Sequence, residues 1–133
     1  MRRLVLVVVL AVAASSAAAA RAETGSGDVR AAFAAAGLSL HATAAGSSGV
    51  TALATRRVRG RGYDVLVFVF RDRDAALALF HKQSYEWRYS GARVELLGNV
   101  IVLVFPAAAR PGTSRPPTPT PPRVARALAR LRR

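Results

Sequence analysis

The chain contains no cysteine, and this absence excludes several kinds of chemistry. Without thiols there is no disulfide framework, no thiolate metal site and no cysteine nucleophile. Histidine is nearly as scarce, because His41 and His81 are the two imidazoles in 133 residues. A metal site would need both of them with a carboxylate such as Asp72 or Asp74, and their spacing fits no metal motif. The sequence therefore predicts no metal and no cofactor.

Acidic residues and lysine are also few. Seven acidic residues face twenty basic ones, Lys82 is the single lysine, and the formal net charge is +13. Arginine in excess over lysine, together with abundant alanine, is what a GC-rich coding sequence produces, so an arginine cluster alone is weak evidence for a site. The overall charge still favours anionic partners, whether lipids, acidic polymers or nucleic acid.

No catalytic motif accompanies the few residues that carry reactive groups. Ser84, His81 and Asp74 include the residue types of a hydrolase triad, but no Gly-x-Ser-x-Gly turn presents the serine. Asp72 and Asp74 would serve as acid and base, although capping of a helix explains both. The sequence favours binding over catalysis, and a small hydrolase is a less favoured alternative.

The amino end has the pattern of a secretory signal peptide. Two arginines precede the apolar stretch Leu4 to Val12, and small residues then allow cleavage after Ala22. An uncleaved membrane anchor is the alternative, because alanines extend the apolar stretch. Cleavage would lower the net charge from +13 to +10. An exported basic protein meets anionic envelope lipid or polymer, or another exported protein, before it meets nucleic acid, which is therefore disfavoured as a partner.

The middle of the chain predicts an α+β domain over residues 28–105, after a flexible start at 23–27. Residues 65–70 and 100–105 are apolar at every position, which indicates strands with both faces buried. Helices are expected at 29–36, capped by Asp28, and at 73–83, capped by Asp72 or Asp74, with a weak strand at 50–58. The expected order is α-β-β-α-β with a further helix, and the sheet has three to four strands.

Three features of this domain leave alternatives. Residues 94–105 form either one bent strand, which we prefer slightly, or a hairpin that turns at Gly98 and Asn99. Residues 84–91 form a short edge strand or an ordered loop. The two apolar strands need a right-handed crossover if they are parallel. With both helices on one face of the sheet, the other face needs a cover, which the end of the chain can provide.

That end contains all seven prolines, between Pro106 and Pro122, which indicates a stiff extended linker. Residues 123–133 then form a short amphipathic basic helix. Docked on the sheet, this helix would enlarge a small core; undocked, it would bind an anionic membrane or a partner.

Three surfaces are candidates for binding. The first is a basic hairpin tip that suits anions, at Arg56, Arg57, Arg59 and Arg61. The second is an aromatic edge for stacking or for a protein partner, at Tyr85, Trp87 and Tyr89. The third is the basic face of the last helix, at Arg123, Arg126, Arg130 and Arg133.

Packing positions along the chain form a recurring pattern, which includes Val29-x-x-Ala32-Phe33-x-x-x-Gly37-Leu38, Asp64-Val65-x-Val67-x-Val69-Phe70 and Gly98-Asn99-Val100-x-Val102. This pattern resembles small exported proteins of high-GC bacteria. The resemblance implies export and a small α+β domain, and it implies no catalytic residue. We expect an exported binding module that engages an anionic cell-envelope component. The alternative is a protein-interaction or inhibitory module that uses the aromatic edge.

Overall fold

The computed structural model describes residues 23–47, 49–107 and 118–132. The predicted signal segment, most of the proline-rich linker and Arg133 lie outside them. Within the described residues the order is α1 (Ser26–Ala35), β1 (Leu40–Ala42), β2 (Val50–Thr55), β3 (Tyr63–Phe70), α2 (Arg73–Tyr89), β4 (Arg93–Leu97), β5 (Val100–Pro106) and α3 (Pro122–Leu131). The α+β class is confirmed. The sheet has five strands in these ranges, rather than the three to four predicted.

The strands form one antiparallel sheet in the order β1-β2-β3-β5-β4. The two apolar strands, β3 and β5, are antiparallel neighbours, with Val67 opposite Val102. The crossover considered for a parallel pair therefore does not connect them. Helix α2 instead connects β3 to β4, and β5 folds back between these two strands. Both β3 and β5 are central, which explains why both of their faces are apolar.

A hairpin joins β4 to β5, so the preference for one bent strand is wrong. Leu97 pairs with Val100 across the two-residue turn Gly98-Asn99. Gly98 has a φ of +60°, while no described residue other than glycine has a positive φ. Glycine first and a negative φ second match a type II′ turn, whose twist suits a tight hairpin.

Helices cover both faces of the sheet. Helices α1 and α3 lie together on one face, where Phe33 and Leu128 are buried with Val65 and Val102. Helix α2 covers the other face, above Ile101 and Leu103. The expectation that the first two helices share a face is therefore wrong. The C-terminal helix docks, but it docks beside α1.

Helix α2 is longer than predicted and contains most of the segment 84–91 that the sequence assigned to a strand or loop. Its N-cap is Asp72, one of the two candidates that the sequence offered, and its Oδ1 accepts a hydrogen bond from the Ala75 N–H at 2.8 Å. The helix ends where Gly91 takes a φ of +85° and the Ala92 N–H bonds to the Trp87 carbonyl at 3.0 Å. Residues 85, 87 and 89 alternate in sequence, but Tyr85 and Tyr89 are also spaced i,i+4, which suits a helix.

Helix α1 begins before the position that the sequence predicted. Gly25 is its N-cap, and Asp28 lies in the first turn, where its Oδ2 accepts from the Gly25 N–H at 3.4 Å. A carboxylate is favourable both at the N-cap and within the first turn, so sequence alone did not place the boundary. Within the described ranges, no helix combines the length and the apolar content needed to cross a bilayer.

Candidate anion-binding cleft

A cleft of about 750 Å³ opens at the end of the sheet where β3 begins. The β2–β3 loop, strand β1 and the first turn of α3 surround it. Its lining includes Leu40, His41, Arg56, Arg61, Tyr63 and Arg123. We call this site the arginine cleft. No carboxylate of the described residues lines it, so its electrostatic potential is positive.

Arg56 and Arg123 are the two exposed arginines of the arginine cleft. Arg56 follows β2, and Arg123 lies in the first turn of α3, so the fold brings together residues from distant parts of the chain. Among the described residues, neither forms an ion pair with a carboxylate. Both guanidinium groups are therefore open to an anion.

Arg61 has a different role, because its side chain is only 16% exposed. Its Nε–H donates to the Tyr63 carbonyl at 3.0 Å, and its Nη2 donates to the Arg56 carbonyl. The guanidinium also lies 5.5 Å from the Tyr63 ring centroid and 3.6 Å from Asp64 Oδ1. These contacts fix the backbone that carries Arg56 and partly neutralise the charge of Arg61.

The other two arginines of the predicted tip are not part of the cleft lining. Arg57 is 83% exposed and lies 3.9 Å from Asp64 Oδ2. Arg59 occupies a turn closed by a hydrogen bond from the Arg61 N–H to the Val58 carbonyl at 3.1 Å. The structure thus divides the predicted cluster into two arginines that line the cleft, of which Arg61 also holds the loop, and two in solvent.

The first turn of α3 adds to the positive potential. Proline occupies its N-cap and first position, and no acidic residue lies in the turn to offset the helix dipole. The Arg123 guanidinium also lies beside Gly37, the residue that ends α1 with a φ of +85°. A cation suits that helix end as well, so Arg123 has a structural role in addition to its place in the cleft.

The histidines lie in different places. His41 is on β1 and lines the arginine cleft, whereas His81 is exposed on α2 with its ring edge-on to Phe80 at 6.0 Å. No group of three potential metal ligands occurs in the described part of the chain. His81 does not line the arginine cleft, and no carboxylate of the described residues does, so the structure does not bring His81 and a carboxylate together there.

The structure separates the aromatic residues predicted to share one surface. Trp87 turns toward the sheet and stacks on Phe68 with ring centroids 6.3 Å apart. Tyr85 and Tyr89 face outward, 77% and 46% exposed, and stack on each other with centroids 6.3 Å apart. The candidate surface is therefore a pair of tyrosines.

The basic face of α3 is likewise divided. Arg126 and Arg130 are exposed on the helix and do not line the cleft, and Arg133 lies outside the described residues. The guanidinium of Arg132, which the sequence did not single out, lies 3.4 Å from Glu95 Oε2. Arg123 alone joins the cleft from this helix.

Sequence reasoning missed that Arg56 and Arg123 line the same cleft, since no local pattern relates a loop arginine to a helix beyond a long linker. It also missed the side chain of Asn99, which is buried at the opposite end of β3. Its Oδ1 accepts from the Thr24 N–H at 2.9 Å, and its Nδ2 donates to the carbonyls of Thr24 at 2.7 Å and Phe70 at 3.0 Å. Asn99 also lines a smaller cleft of about 390 Å³, where its role is structural.

Comparison of the chain with family models, curated proteins and solved structures found no match. The function must therefore be argued from the site alone.

Proposed function

We propose that the protein is an exported binding module that engages an anionic component of the cell envelope through the arginine cleft. The observation that carries this proposal is that Arg56 and Arg123, from distant parts of the chain, line one cleft in which the described residues place no carboxylate. Guanidinium groups recognise phosphate and carboxylate oxygens through paired hydrogen bonds. Leu40 and Tyr63 give the cleft an apolar part that would contact the uncharged portion of such a ligand.

The rigidity of the site supports the same proposal. Hydrogen bonds from the Arg61 side chain join the two ends of the β2–β3 loop, and core contacts at Val124 and Leu128 hold α3. Because both open arginines sit on ordered backbone, binding an anion costs less conformational entropy than it would on a flexible tail.

The test is co-sedimentation of the full chain with isolated cell envelopes at roughly 0.1 M and 1 M salt, where the Debye length falls from about 10 to about 3 Å. Wild-type protein should bind at low salt and be released at high salt. The double variant Arg56→Ser/Arg123→Ser should bind at least about tenfold more weakly, since each arginine at an anionic surface contributes on the order of 1 kcal/mol.

The matched control is Arg126→Ser/Arg130→Ser, which removes the same charge from exposed positions outside the cleft. Equal weakening by both double variants would mean that binding follows net charge alone, and the cleft would have no special role. A melting curve of each variant separates lost binding from lost structure, which matters because Arg123 lies against the end of α1. Anionic vesicles and isolated wall polymer, tested separately, then distinguish lipid from polymer.

A second candidate function rests on the exposed tyrosine pair Tyr85 and Tyr89, because tyrosines are enriched at protein interfaces. In this case the protein captures another exported protein through α2, and capture persists at roughly 1 M salt because it is not electrostatic. Tyr85→Ser/Tyr89→Ser should abolish the capture, while His81→Ser/Lys82→Ser on the same helix should not. Capture that disappears at high salt would count against this surface.

A further inference from the structure

Strand β4 is the last strand on its side of the sheet, and no strand among the described residues pairs with its outer edge. Its other edge pairs with β5, with Leu97 opposite Val100, Glu95 opposite Val102 and Arg93 opposite Val104. The two-residue turn makes Leu97 and Val100 a hydrogen-bonded pair, and such pairs alternate along an antiparallel ladder. The N–H and C=O groups of Val94 and Leu96 therefore point away from the sheet.

The start of this edge is already covered. Thr118 donates to the Gly91 carbonyl from its N–H at 3.0 Å and from its hydroxyl at 2.6 Å. The Ala92 N–H is bonded to the Trp87 carbonyl. Among the described residues, the part of this edge without a partner thus begins after Ala92 and is centred on Val94. The opposite edge strand, β1, has only three residues, so β4 is the longer edge of the sheet.

Charges of opposite sign flank Val94 on one face of the sheet. The side chains of Arg93 and Glu95 are 46% and 25% exposed, and within one chain Arg93 Nε lies 3.4 Å from Glu95 Oε1. An antiparallel pairing of two β4 strands about a two-fold axis at Val94 places Arg93 of each copy opposite Glu95 of the other. A shift of the axis to Glu95 would place two glutamates opposite each other, and like charges in that position are destabilising. Of these two registers, the charge pattern therefore favours the one centred on Val94.

We propose that the protein forms a symmetric dimer through β4, with reciprocal hydrogen bonds between the two Val94 residues and reciprocal Arg93–Glu95 ion pairs. The same pairing brings the partly exposed side chains of Val94 together on the face covered by α2. It also satisfies backbone groups that would otherwise be a template for uncontrolled strand addition. The two sheets then become one sheet of ten strands.

Sedimentation equilibrium of the full chain over roughly 1 to 200 µM tests the proposal. The expected result is a rise in mass from 14.0 kDa toward twice that value. Arg93→Glu and Glu95→Arg should each raise the dimer dissociation constant at least about tenfold, because each places like charges opposite one another. An equimolar mixture of these two variants should form a heterodimer with an affinity within about threefold of the wild type, because the opposed charges are complementary again.

Arg126→Glu is the matched control, since it makes the same charge change as Arg93→Glu on an exposed part of α3, and it should leave dimerisation unchanged. Glu95→Arg also removes the contact with Arg132, so circular dichroism must show that the variant is folded. If it is not, hydrogen exchange of wild-type protein replaces it: the Val94 amide should exchange more slowly as concentration rises, and Arg93→Glu should abolish that dependence. A wild type that stays at 14.0 kDa, single variants that dimerise normally, or a mixture of folded variants that stays monomeric would each overturn the proposal.

Discussion

Hydrogen bonds from single side chains fix the backbone at each end of the sheet. At one end, Arg61 bonds to backbone carbonyls on both sides of the β2–β3 loop. At the other, Asn99 connects the β4–β5 turn to Thr24 and to the end of β3. Thr55 has a similar role within the sheet, where its buried Oγ1 accepts from the Val65 N–H at 3.0 Å.

Asn99→Ala should lower the free energy of unfolding by about 2 to 3 kcal/mol. It removes three hydrogen bonds of roughly 1 kcal/mol each and leaves the buried Phe70 carbonyl without one of its donors. Urea unfolding measures the change. Thr43→Ala is the control, since it removes one exposed bond to the Ala45 N–H and should cost about 0.5 kcal/mol or less. Similar losses for the two variants would mean that the Asn99 bonds add little to stability.

The division of the aromatic residues makes a second prediction for single side chains. Trp87→Ala should destabilise the protein by about 2 to 3 kcal/mol, because Trp87 covers Phe68 beneath α2. Tyr85→Ala should change stability by about 0.5 kcal/mol or less, because Tyr85 is exposed. Thermal or urea unfolding of both variants checks this. A large loss of stability for Tyr85→Ala together with a small loss for Trp87→Ala would mean that α2 turns Tyr85, and not Trp87, toward the sheet.

Among the elements, α3 shows how a short helix becomes stable. Ten residues are too few for a stable helix in water, and its first turn has no acidic residue. Packing provides what is missing, since Val124, Ala127 and Leu128 are buried against α1 and the sheet. The apolar stripe that the sequence showed is thus the docking face, and the exposed arginines occupy the remainder.

Leu128→Ala should therefore lower the free energy of unfolding of the whole domain by about 2 to 5 kcal/mol, because it leaves a cavity in the core shared with α1. Leu77→Ala makes the same chemical change at a position on α2 that is 38% exposed, and it should cost about 1 kcal/mol or less. Chemical denaturation followed by far-ultraviolet circular dichroism compares the two. An unchanged midpoint for Leu128→Ala would show that α3 contributes nothing to the folded domain.

At the scale of the whole molecule, charge opposes compactness. The net charge is +13, and the described residues form ion pairs at only two carboxylates, Asp64 and Glu95. Three of the four pairs have an exposed arginine, so each of these three contributes little, and only the Arg61–Asp64 pair is partly buried on both sides. Repulsion among the remaining arginines should then be the larger electrostatic contribution to stability.

Raising the salt concentration from about 0.01 to 0.15 M shortens the Debye length from about 30 to about 8 Å. The melting temperature should rise by roughly 5 °C, since 1 kcal/mol of relieved repulsion has an effect of that size in a small domain. Differential scanning calorimetry provides the measurement. Replacing the exposed Arg30, Arg73 and Arg126 with serine should reduce the rise. A melting temperature that falls with salt would mean that the ion pairs outweigh the repulsion.

Local patterns determined much of the architecture. Apolar runs located β3 and β5, the pair Asp72 and Asp74 located the start of α2 to within a few residues, and the i,i+4 stripe located α3, because each signal depends on residues near one another in the chain. Tertiary structure decided the rest. Continuous apolar runs show that a strand is buried on both faces but do not show which strand lies beside it. The order β3-β5-β4 could therefore not be predicted from the sequence. Alternating aromatic and polar residues suited both a strand and a helix, and contact of Trp87 with Phe68 decided for the helix. The candidate site depends on Arg56 and Arg123 lining the same cleft. No spacing in the sequence indicates this, because burial of α3 against α1 places Arg123 there.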